Sequence, residues 1–287
     1  MNRSNPTVIK TIYVTDLDGT LLQPDATLSD NSLRILSQLL EDGLPLTVAT
    51  ARTSYSVLPI LRGLPVSLPL ILQNGAVLYD AQAKRILHAA CIQPDAFREV
   101  CGYVEKSGVN GFAYCIEDGV LRCCYTELTT AHMRQFYQER RDRYDKPFLQ
   151  VKSLAQLADL HPVYLSICAP QPLLDPLVQN LQTVPDIALS YYRDIYCTDI
   201  WYLEVSAPDA TKYHGVQKLK ELTGAEKTVG FGDNHNDLPL FDACDYKVAV
   251  GNAAAELKTQ ADCVIGTNTE DAVAAYLQSL FASESTE

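Results

Sequence analysis

The stretch Thr15-Asp16-Leu17-Asp18-Gly19-Thr20-Leu21-Leu22 sets the interpretation of the whole chain. It begins where Val8 to Thr15, a run rich in β-branched and aromatic residues, predicts a strand. Two carboxylates two residues apart are followed by a glycine, which permits a sharp backbone departure. Ligands of doubly wound sheets bind beyond the carboxyl ends of the strands, so the pair occupies a position typical of a site. Taken alone, the pair fits a surface turn equally well, because Asp and Gly are common in turns.

A second acidic run, Gly230-Phe231-Gly232-Asp233-Asn234-His235-Asn236-Asp237, also follows an apolar segment that predicts a strand. Two acidic turns at one edge of a sheet are harder to explain as surface turns than one. Mg²⁺ prefers carboxylate and carbonyl oxygens and retains several waters. The sequence therefore predicts a Mg²⁺ site that uses Asp16, the backbone carbonyl of Asp18, and Asp233.

The segments around these runs alternate between strand and helix patterns. Their apolar runs lack polar alternation, which indicates strands buried on both faces and hence a parallel sheet covered by helices. We predict an α/β fold with a doubly wound parallel-sheet core. Besides the first strand, its predicted strands are Leu44–Thr50, Leu68–Gln73, Thr228–Phe231, Lys247–Val250 and Cys263–Ile265, and its main helices start at Ser29 or Asp30, Ser54, Gly215 and Glu270.

The character of the chain changes near Lys84. From there to about Ser206 the strands are rich in tyrosine and come partly in hairpins, the clearest having an Asp118-Gly119 turn. A polar helix is predicted from Glu127 to Tyr144, and tyrosines such as Tyr196 either line a pocket or pack a sheet face. We predict a core formed by residues 1–83 and 207–287 and an inserted α+β cap at 84–206.

Composition excludes some partners. The 287 residues carry a formal net charge of -12, with a pI near 4.8, so the surface repels nucleic acid and anionic lipid. A phosphate site must then be locally positive. The polar N-terminus and the short apolar stretch after it predict neither a signal peptide nor a membrane span. Nine cysteines without a Cys-x-x-Cys pair predict reduced thiols and a cytoplasmic protein; the oligomeric state stays open.

The two acidic runs, in this order, resemble the haloacid dehalogenase superfamily, and most closely its Cof-type phosphatases, which carry a type IIB α+β cap after the third core strand. The match covers essentially the whole chain, although the cap matches only in layout. Three further features fit the family pattern. Thr50 ends the second strand, Gln73-Asn74-Gly75-Ala76 ends the third, and Lys212 lies on the return from the insertion.

This resemblance implies a Mg²⁺-dependent phosphatase that hydrolyses a small phosphorylated metabolite, such as a sugar phosphate or a pyridoxal-type phosphate. Asp16 would attack phosphorus and form an aspartyl-phosphate, and Asp18 would protonate the leaving oxygen. Lys212 would add a fixed positive charge. Asp233 would bind the metal, and Asp237 would bind it through water or orient other ligands. The implied phosphate- and substrate-binding residues are Thr50, Ala51, Arg52, Asn74, Lys212 and Asn236, the last holding either Lys212 or the phosphate.

Two positions and two other functions stay open. The family often has Thr-Gly-Arg where this chain has Thr50-Ala51-Arg52, so Arg52 either binds substrate or is a solvated arginine at a helix start. Asn74 either binds substrate or only shapes an Asn-Gly turn. A phosphomutase and a non-catalytic sensor of phosphorylated metabolites are the alternative functions. Asp18 favours hydrolysis or a mutase, because mere binding does not need a general acid.

Overall fold

The computed structural model describes residues 9–194 and 199–284, and the chain divides into two units. The core unit comprises Met1–Leu87 and Thr211–Glu287, and the inserted unit comprises His88–Ala210. Val8, where the first strand was predicted to begin, and Tyr196 lie outside the described residues.

The secondary structure alternates strands and helices in the core unit and is mixed in the inserted unit. The strands are β1 (Thr11–Thr15), β2 (Leu46–Val48), β3 (Leu70–Leu72), β4 (Val77–Asp80), β5 (Arg85–Ala89), β6 (Gly111–Glu117), β7 (Val120–Tyr125), β8 (Phe148–Gln150), β9 (Pro162–Ala169), β10 (Ala188–Arg193), β11 (Trp201–Ser206), β12 (Lys227–Gly232), β13 (Tyr246–Ala249) and β14 (Cys263–Val264). The α-helices are α1 (Asp30–Glu41), α2 (Ser54–Ile60), α3 (Pro94–Ser107), α4 (Ala131–Tyr144), α5 (Gln171–Leu181), α6 (Lys212–Thr223), α7 (Leu238–Ala243), α8 (Ala255–Gln260) and α9 (Ala272–Glu284).

A five-stranded parallel sheet in the order β14-β13-β12-β1-β2 forms the centre of the core unit. In β1 the consecutive residues Ile12, Tyr13 and Val14 are all buried, as expected for a strand covered on both faces. A parallel bridge between Ala49 and Ile71 brings β3 beside the end of β2. The α/β fold with a parallel sheet is thus confirmed.

Helix ends in the core unit follow local capping chemistry. The hydroxyl of Ser29 accepts a hydrogen bond from the N–H of Ser32 at 2.9 Å and starts α1, as predicted. Helix α6 starts at Lys212, three residues before the predicted Gly215, because the Thr211 hydroxyl caps it. Lys212 is therefore the first residue of this helix, whereas the sequence placed it just before the helix.

The inserted unit contains a six-stranded sheet in the order β10-β11-β9-β6-β7-β8. The predicted hairpin joins β6 and β7, with positive φ at both Asp118 and Gly119. Helix α5 packs on β11 and α3 packs on α5, while the Phe136 ring of α4 lies 5.0 Å from the Phe112 ring of β6. The sheet therefore has helices on both faces.

Some elements of this unit differ from the prediction. Helix α4 begins at Ala131 and not at Glu127, because the Thr130 hydroxyl accepts from the N–H of Met133 and caps the helix there. Helix α3 was not predicted, although Pro94 in its first turn and Gly108 with a φ of 72° after its last are standard helix boundaries. Across the described residues, no helix is both long enough and apolar enough to cross a bilayer.

Candidate active site

The parallel register brings the two acidic runs to one edge of the core sheet. Thr15, the last residue of β1, pairs with Phe231 of β12, and the N–H of Asp16 donates to the Phe231 carbonyl at 2.9 Å. The chain then leaves β1 beside Asp233, which follows the end of β12 directly. The structure therefore brings the acidic residues of the two runs close together at the carboxyl edge of the sheet.

A buried lysine joins the first acidic run to the second. The Lys212 ammonium donates to one Asp16 oxygen and one Asp237 oxygen, each at 2.6 Å, and its side chain is completely buried. Burial by itself lowers the pKa of Lys212, but the charges of Asp16 and Asp237 outweigh burial and hold that pKa above its usual value. Lys212 is therefore a fixed cation in the site. Removing one partner of such a buried pair typically costs about 3–5 kcal/mol of stability.

Asp237 also shapes its own loop. One oxygen holds Lys212, and the other accepts the N–H groups of Asp233 at 2.9 Å and Asn234 at 3.1 Å. The Asn234 side chain caps the same turn in return, which forms a capping box. Asp237 therefore fixes both the ammonium and the loop that carries Asp233.

Asp233 is bound to the first acidic run from the opposite side. The Thr20 hydroxyl donates to its carboxylate at 2.9 Å. Gly19 has a φ of 79°, and a Cβ at this position would overlap the Asp233 carboxylate, so a glycine is required. Asn252, which was not among the predicted site residues, donates to the Gly19 carbonyl at 2.7 Å. Its position two residues after the predicted strand that ends at Val250 is the feature of the sequence that could have marked it as a site residue.

Three carboxylates form an acidic group that fits a cation. Asp16, Asp233 and Asp237 each offer an oxygen, and these oxygens lie within 4.8 Å of one another. Burial raises the pKa of Asp16 to about 8, in spite of the lowering charge of Lys212, and burial with the charge of Asp237 raises that of Asp233 to about 6. When all three are ionised, three carboxylates beside one ammonium carry an excess of negative charge, which a divalent cation relieves.

The Asp18 carboxylate lies outside this acidic group and is paired with Arg52. The Arg52 Nε and one terminal nitrogen donate to the two oxygens of Asp18, both at 2.6 Å. The Asp18 side chain is half-exposed and the Arg52 side chain is mostly buried. Arg52 is therefore not the solvated arginine that one interpretation of the sequence proposed.

The segment after β2 supports this arginine. Thr50 is buried, its N–H donates to the Ile71 carbonyl, and its hydroxyl accepts the N–H of Arg52 at 3.2 Å. The neighbouring Ala51 is exposed. The predicted phosphate-binding run thus lies at the carboxyl edge of the sheet, beside the end of β3.

The turn after β3 holds its residues in an uncommon conformation. Gln73, Asn74 and Gly75 have consecutive φ values of 49°, 54° and 103°. The side-chain oxygens of Gln73 and Asn74 are buried without a hydrogen-bond partner. Left-handed backbone at a residue other than glycine costs of order 1–3 kcal/mol and persists where surrounding structure imposes it. Here the N–H groups of Gln73 and Asn74 donate to the carbonyls of Arg52 and Thr50.

Gly75→Ala is expected to destabilise the protein by about 3 kcal/mol or more, because a Cβ would combine an unfavourable φ with overlap on the Thr211 backbone carbonyl. Gly43→Ala is the matched control. Gly43 has a φ of 95°, but its added Cβ would meet nothing within 4 Å, so about 1 kcal/mol is expected. Urea unfolding of both variants measures the difference. Equal midpoints would show that contact with the Thr211 segment contributes nothing.

Asn236 differs from the other predicted residues in its surroundings. It is exposed in the short turn Asn234–Asp237. The ammonium of Lys212, which Asn236 was one candidate to hold, is bound by Asp16 and Asp237. The other predicted role of Asn236, contact with the phosphate, stays a prediction.

Comparison with known proteins identifies the family of the chain. A family model described as haloacid dehalogenase-like hydrolase matches residues 13–277. The chain therefore belongs to the haloacid dehalogenase-like hydrolases, and within them it is of the Cof type. The resemblance stated from the two acidic runs is confirmed, and the protein is a hydrolase of phosphate monoesters.

Particular relatives extend over nearly the same length. Pyridoxal phosphate phosphatase YbhA of Escherichia coli strain K12 is 29% identical over 276 residues, covering 93% of this chain and 97% of the relative. HMP-PP phosphatase of Serratia proteamaculans is 27% identical, covering 92% of each chain. The structure of TM0651 from Thermotoga maritima superposes with a TM-score of 0.77 and 23% identity, covering 94% of this chain and 97% of that one.

Proposed function

We propose that this protein is a Mg²⁺-dependent phosphatase that transfers the phosphoryl group of its substrate to Asp16 and then hydrolyses the aspartyl-phosphate. The observation that carries the proposal is the buried cluster in which Lys212 binds both Asp16 and Asp237, with Asp233 beside them. A carboxylate attacks phosphorus only when ionised. The fixed Lys212 charge favours the ionised form of Asp16 and offers a counter-charge to the phosphate.

The remaining residues take distinct parts. Asp16, Asp233 and Asp237 would hold Mg²⁺ together with the Asp18 carbonyl, Asp237 directly or through water. When bound, Mg²⁺ supplies positive charge that favours ionised Asp16 and offsets the charge of the phosphate. Asp18, whose side chain is half-exposed, would donate a proton to the leaving oxygen and later accept one from the attacking water.

The phosphate-binding set would comprise Thr50, with the neighbouring Ala51, and Lys212, with Asn74 and Asn236 as further contacts. Thr50 lies just after β2 at the same sheet edge as Asp16, which supports a role as a hydrogen-bond donor to phosphate. The inserted unit would act as the cap that selects the leaving group.

We infer a small phosphorylated metabolite as the substrate. Relatives named for pyridoxal phosphate and HMP-PP act on small molecules, which supports this class without naming the compound. The net charge of -12 argues against nucleic acid as a partner. The eight described cysteines are free thiols, which fits the reducing compartment of a cytoplasmic protein.

Metal removal tests the proposal. We expect p-nitrophenyl phosphate to be hydrolysed with Mg²⁺, hydrolysis to stop in excess EDTA, and Mg²⁺ to restore it. Adding Mg²⁺ to the metal-free protein should also raise the Tm, because a ligand that binds only the folded state stabilises it. Asp233→Asn should weaken both effects. The matched control is Asp242→Asn, an exposed change in α7 of the same unit.

Activity that survives EDTA would contradict the proposed metal dependence. Binding of phosphorylated metabolites without multiple turnover would instead favour a sensor. Conversion of a sugar 1-phosphate to its 6-phosphate, with no release of inorganic phosphate, would identify a phosphomutase. A panel of phosphorylated metabolites assayed for released phosphate separates these outcomes.

A further inference from the structure

The pairing of Arg52 with Asp18 has no part in the reaction as proposed so far. Both oxygens of the Asp18 carboxylate accept hydrogen bonds from one guanidinium, at 2.6 Å each. We propose that Arg52 is a positioning residue that holds Asp18 in place for proton transfer. While Asp18 carries the proton, one of its oxygens accepts a hydrogen bond from the guanidinium and the other, protonated, is free to face the leaving oxygen; once the proton has moved to the leaving oxygen, both oxygens of the ionised carboxylate accept from Arg52. This inference rests on the proposed function, in which Asp18 exchanges protons with the leaving group and the attacking water.

The geometry of the pair supports a positioning role. Guanidinium presents its donors in a rigid planar fork, so a two-point contact fixes both the place and the plane of a carboxylate. The Asp18 side chain is 52% exposed, and little packing restrains it on the open side. Without the fork, its carboxylate is free to rotate between staggered conformations. Removing Arg52 would therefore lower the fraction of time that Asp18 spends in the productive position.

The arginine itself is anchored to the core sheet. Its side chain is only 15% exposed. Its N–H donates to the Thr50 hydroxyl and its carbonyl accepts the N–H of Gln73, so the backbone is fixed between the ends of β2 and β3. Because its backbone is fixed at two strand ends, the Arg52 guanidinium can hold the exposed carboxylate of Asp18 in a fixed position relative to the sheet. The strained turn at Gln73 and Asn74 contributes to this arrangement, because the Gln73 N–H provides one of the two hydrogen bonds that fix the Arg52 backbone.

Positioning and phosphate binding predict different kinetics. An arginine that only binds phosphate contributes equally to the binding of every phosphate ester. Its loss therefore weakens the binding of all substrates and of inorganic phosphate to the same extent. An arginine that positions the acid matters only where protonation of the leaving group is needed. Alkyl esters need it, whereas p-nitrophenolate leaves readily without a proton. Because kcat/KM reports steps up to formation of the aspartyl-phosphate, it isolates this requirement from the later hydrolysis.

The test compares kcat/KM for an alkyl phosphate, propyl phosphate, with that for p-nitrophenyl phosphate. We expect Arg52→Ala to lower the alkyl value by about 10- to 100-fold, the usual effect of a misplaced catalytic group, and to lower the nitrophenyl value much less. Arg52→Lys should also lower kcat/KM more for the alkyl ester than for the nitrophenyl ester. Lysine keeps the positive charge but lacks the planar guanidinium that contacts both carboxylate oxygens. Arg62→Ala, an exposed arginine of the same unit, is the control and should match the wild type.

Asp18→Asn is the reference variant. Suppose that Asp18→Asn lowers kcat/KM more for the alkyl ester than for the nitrophenyl ester, and that the Arg52 variants do not. The positioning role of Arg52 is then wrong, and the proposed function stands. If Asp18→Asn lowers kcat/KM equally for both esters, the proposed role of Asp18 is wrong, and the proposed role of Arg52 is wrong with it. A uniform loss in Arg52→Ala, with weaker inhibition by inorganic phosphate, would assign Arg52 to phosphate binding. Circular dichroism shows whether each variant is folded. If Arg52→Ala is unfolded, Arg52→Lys provides the same comparison.

Discussion

Asp16→Asn is expected to reduce turnover of p-nitrophenyl phosphate by at least about 10⁴-fold, because an amide cannot form an aspartyl-phosphate. The variant should remain folded. Its amide oxygen still accepts the hydrogen bond that the Lys212 ammonium now gives to the carboxylate at 2.6 Å. Rapid acid quenching with labelled substrate should recover a phosphorylated protein from the wild type and none from the variant.

Two further variants make this result interpretable. Asp95→Asn changes the charge equally at a fully exposed position and should leave turnover unchanged. Asp16→Ala excludes the slow deamidation by which the introduced asparagine would regain a carboxylate. Substantial turnover by Asp16→Ala would show that water attacks phosphorus directly and that Asp16 is not the nucleophile.

Asp18→Asn is expected to lower kcat/KM for propyl phosphate by about 10²–10⁴-fold, the usual contribution of a general acid. The fall for p-nitrophenyl phosphate should be far smaller. Mg²⁺ affinity, measured by titration calorimetry on the same variant, should be unchanged, because only the backbone carbonyl of Asp18 is proposed to contact the metal. The carboxylate itself is paired with Arg52 and lies outside the acidic group.

Loss of metal binding in Asp18→Asn would mean that the carboxylate is a ligand and that its role has been misassigned. Thr20→Val offers a contrast. It removes the hydroxyl that donates to Asp233 at 2.9 Å and leaves Asp18 intact. Its effect should therefore appear in Mg²⁺ affinity and be similar for both esters.

The acidic runs were predictable because their signal is local. Each follows a buried apolar strand, and parallel strands carry their carboxyl ends to one edge of a sheet. Asp16 and Asp233 were therefore expected at the same edge once the sheet was inferred, and the pairing of β1 with β12 places them side by side. The helix start at Ser29 was predictable for the same reason, since a capping hydroxyl acts within three residues.

The partners within the site were not predictable from spacing alone. Nothing local distinguishes Asp18, which binds Arg52, from Asp16, which binds Lys212. Those pairings depend on which side chain each loop directs toward the other, and the loops are distant in sequence. The unpartnered amide oxygens of Gln73 and Asn74 were hidden likewise, because an Asn-Gly pair predicts a turn but not the burial of its neighbours.

The Lys212 contact also bears on the order of folding. It joins residues 196 positions apart, on either side of the inserted unit. Contacts of such long range are slow to form, because the entropy of closing the loop opposes them until the intervening chain has folded. The counter-charge of Asp16 is thus completed only when the two halves of the core unit have met. We expect a nascent or partly unfolded chain to lack phosphatase activity, so that hydrolysis begins only with the completed core.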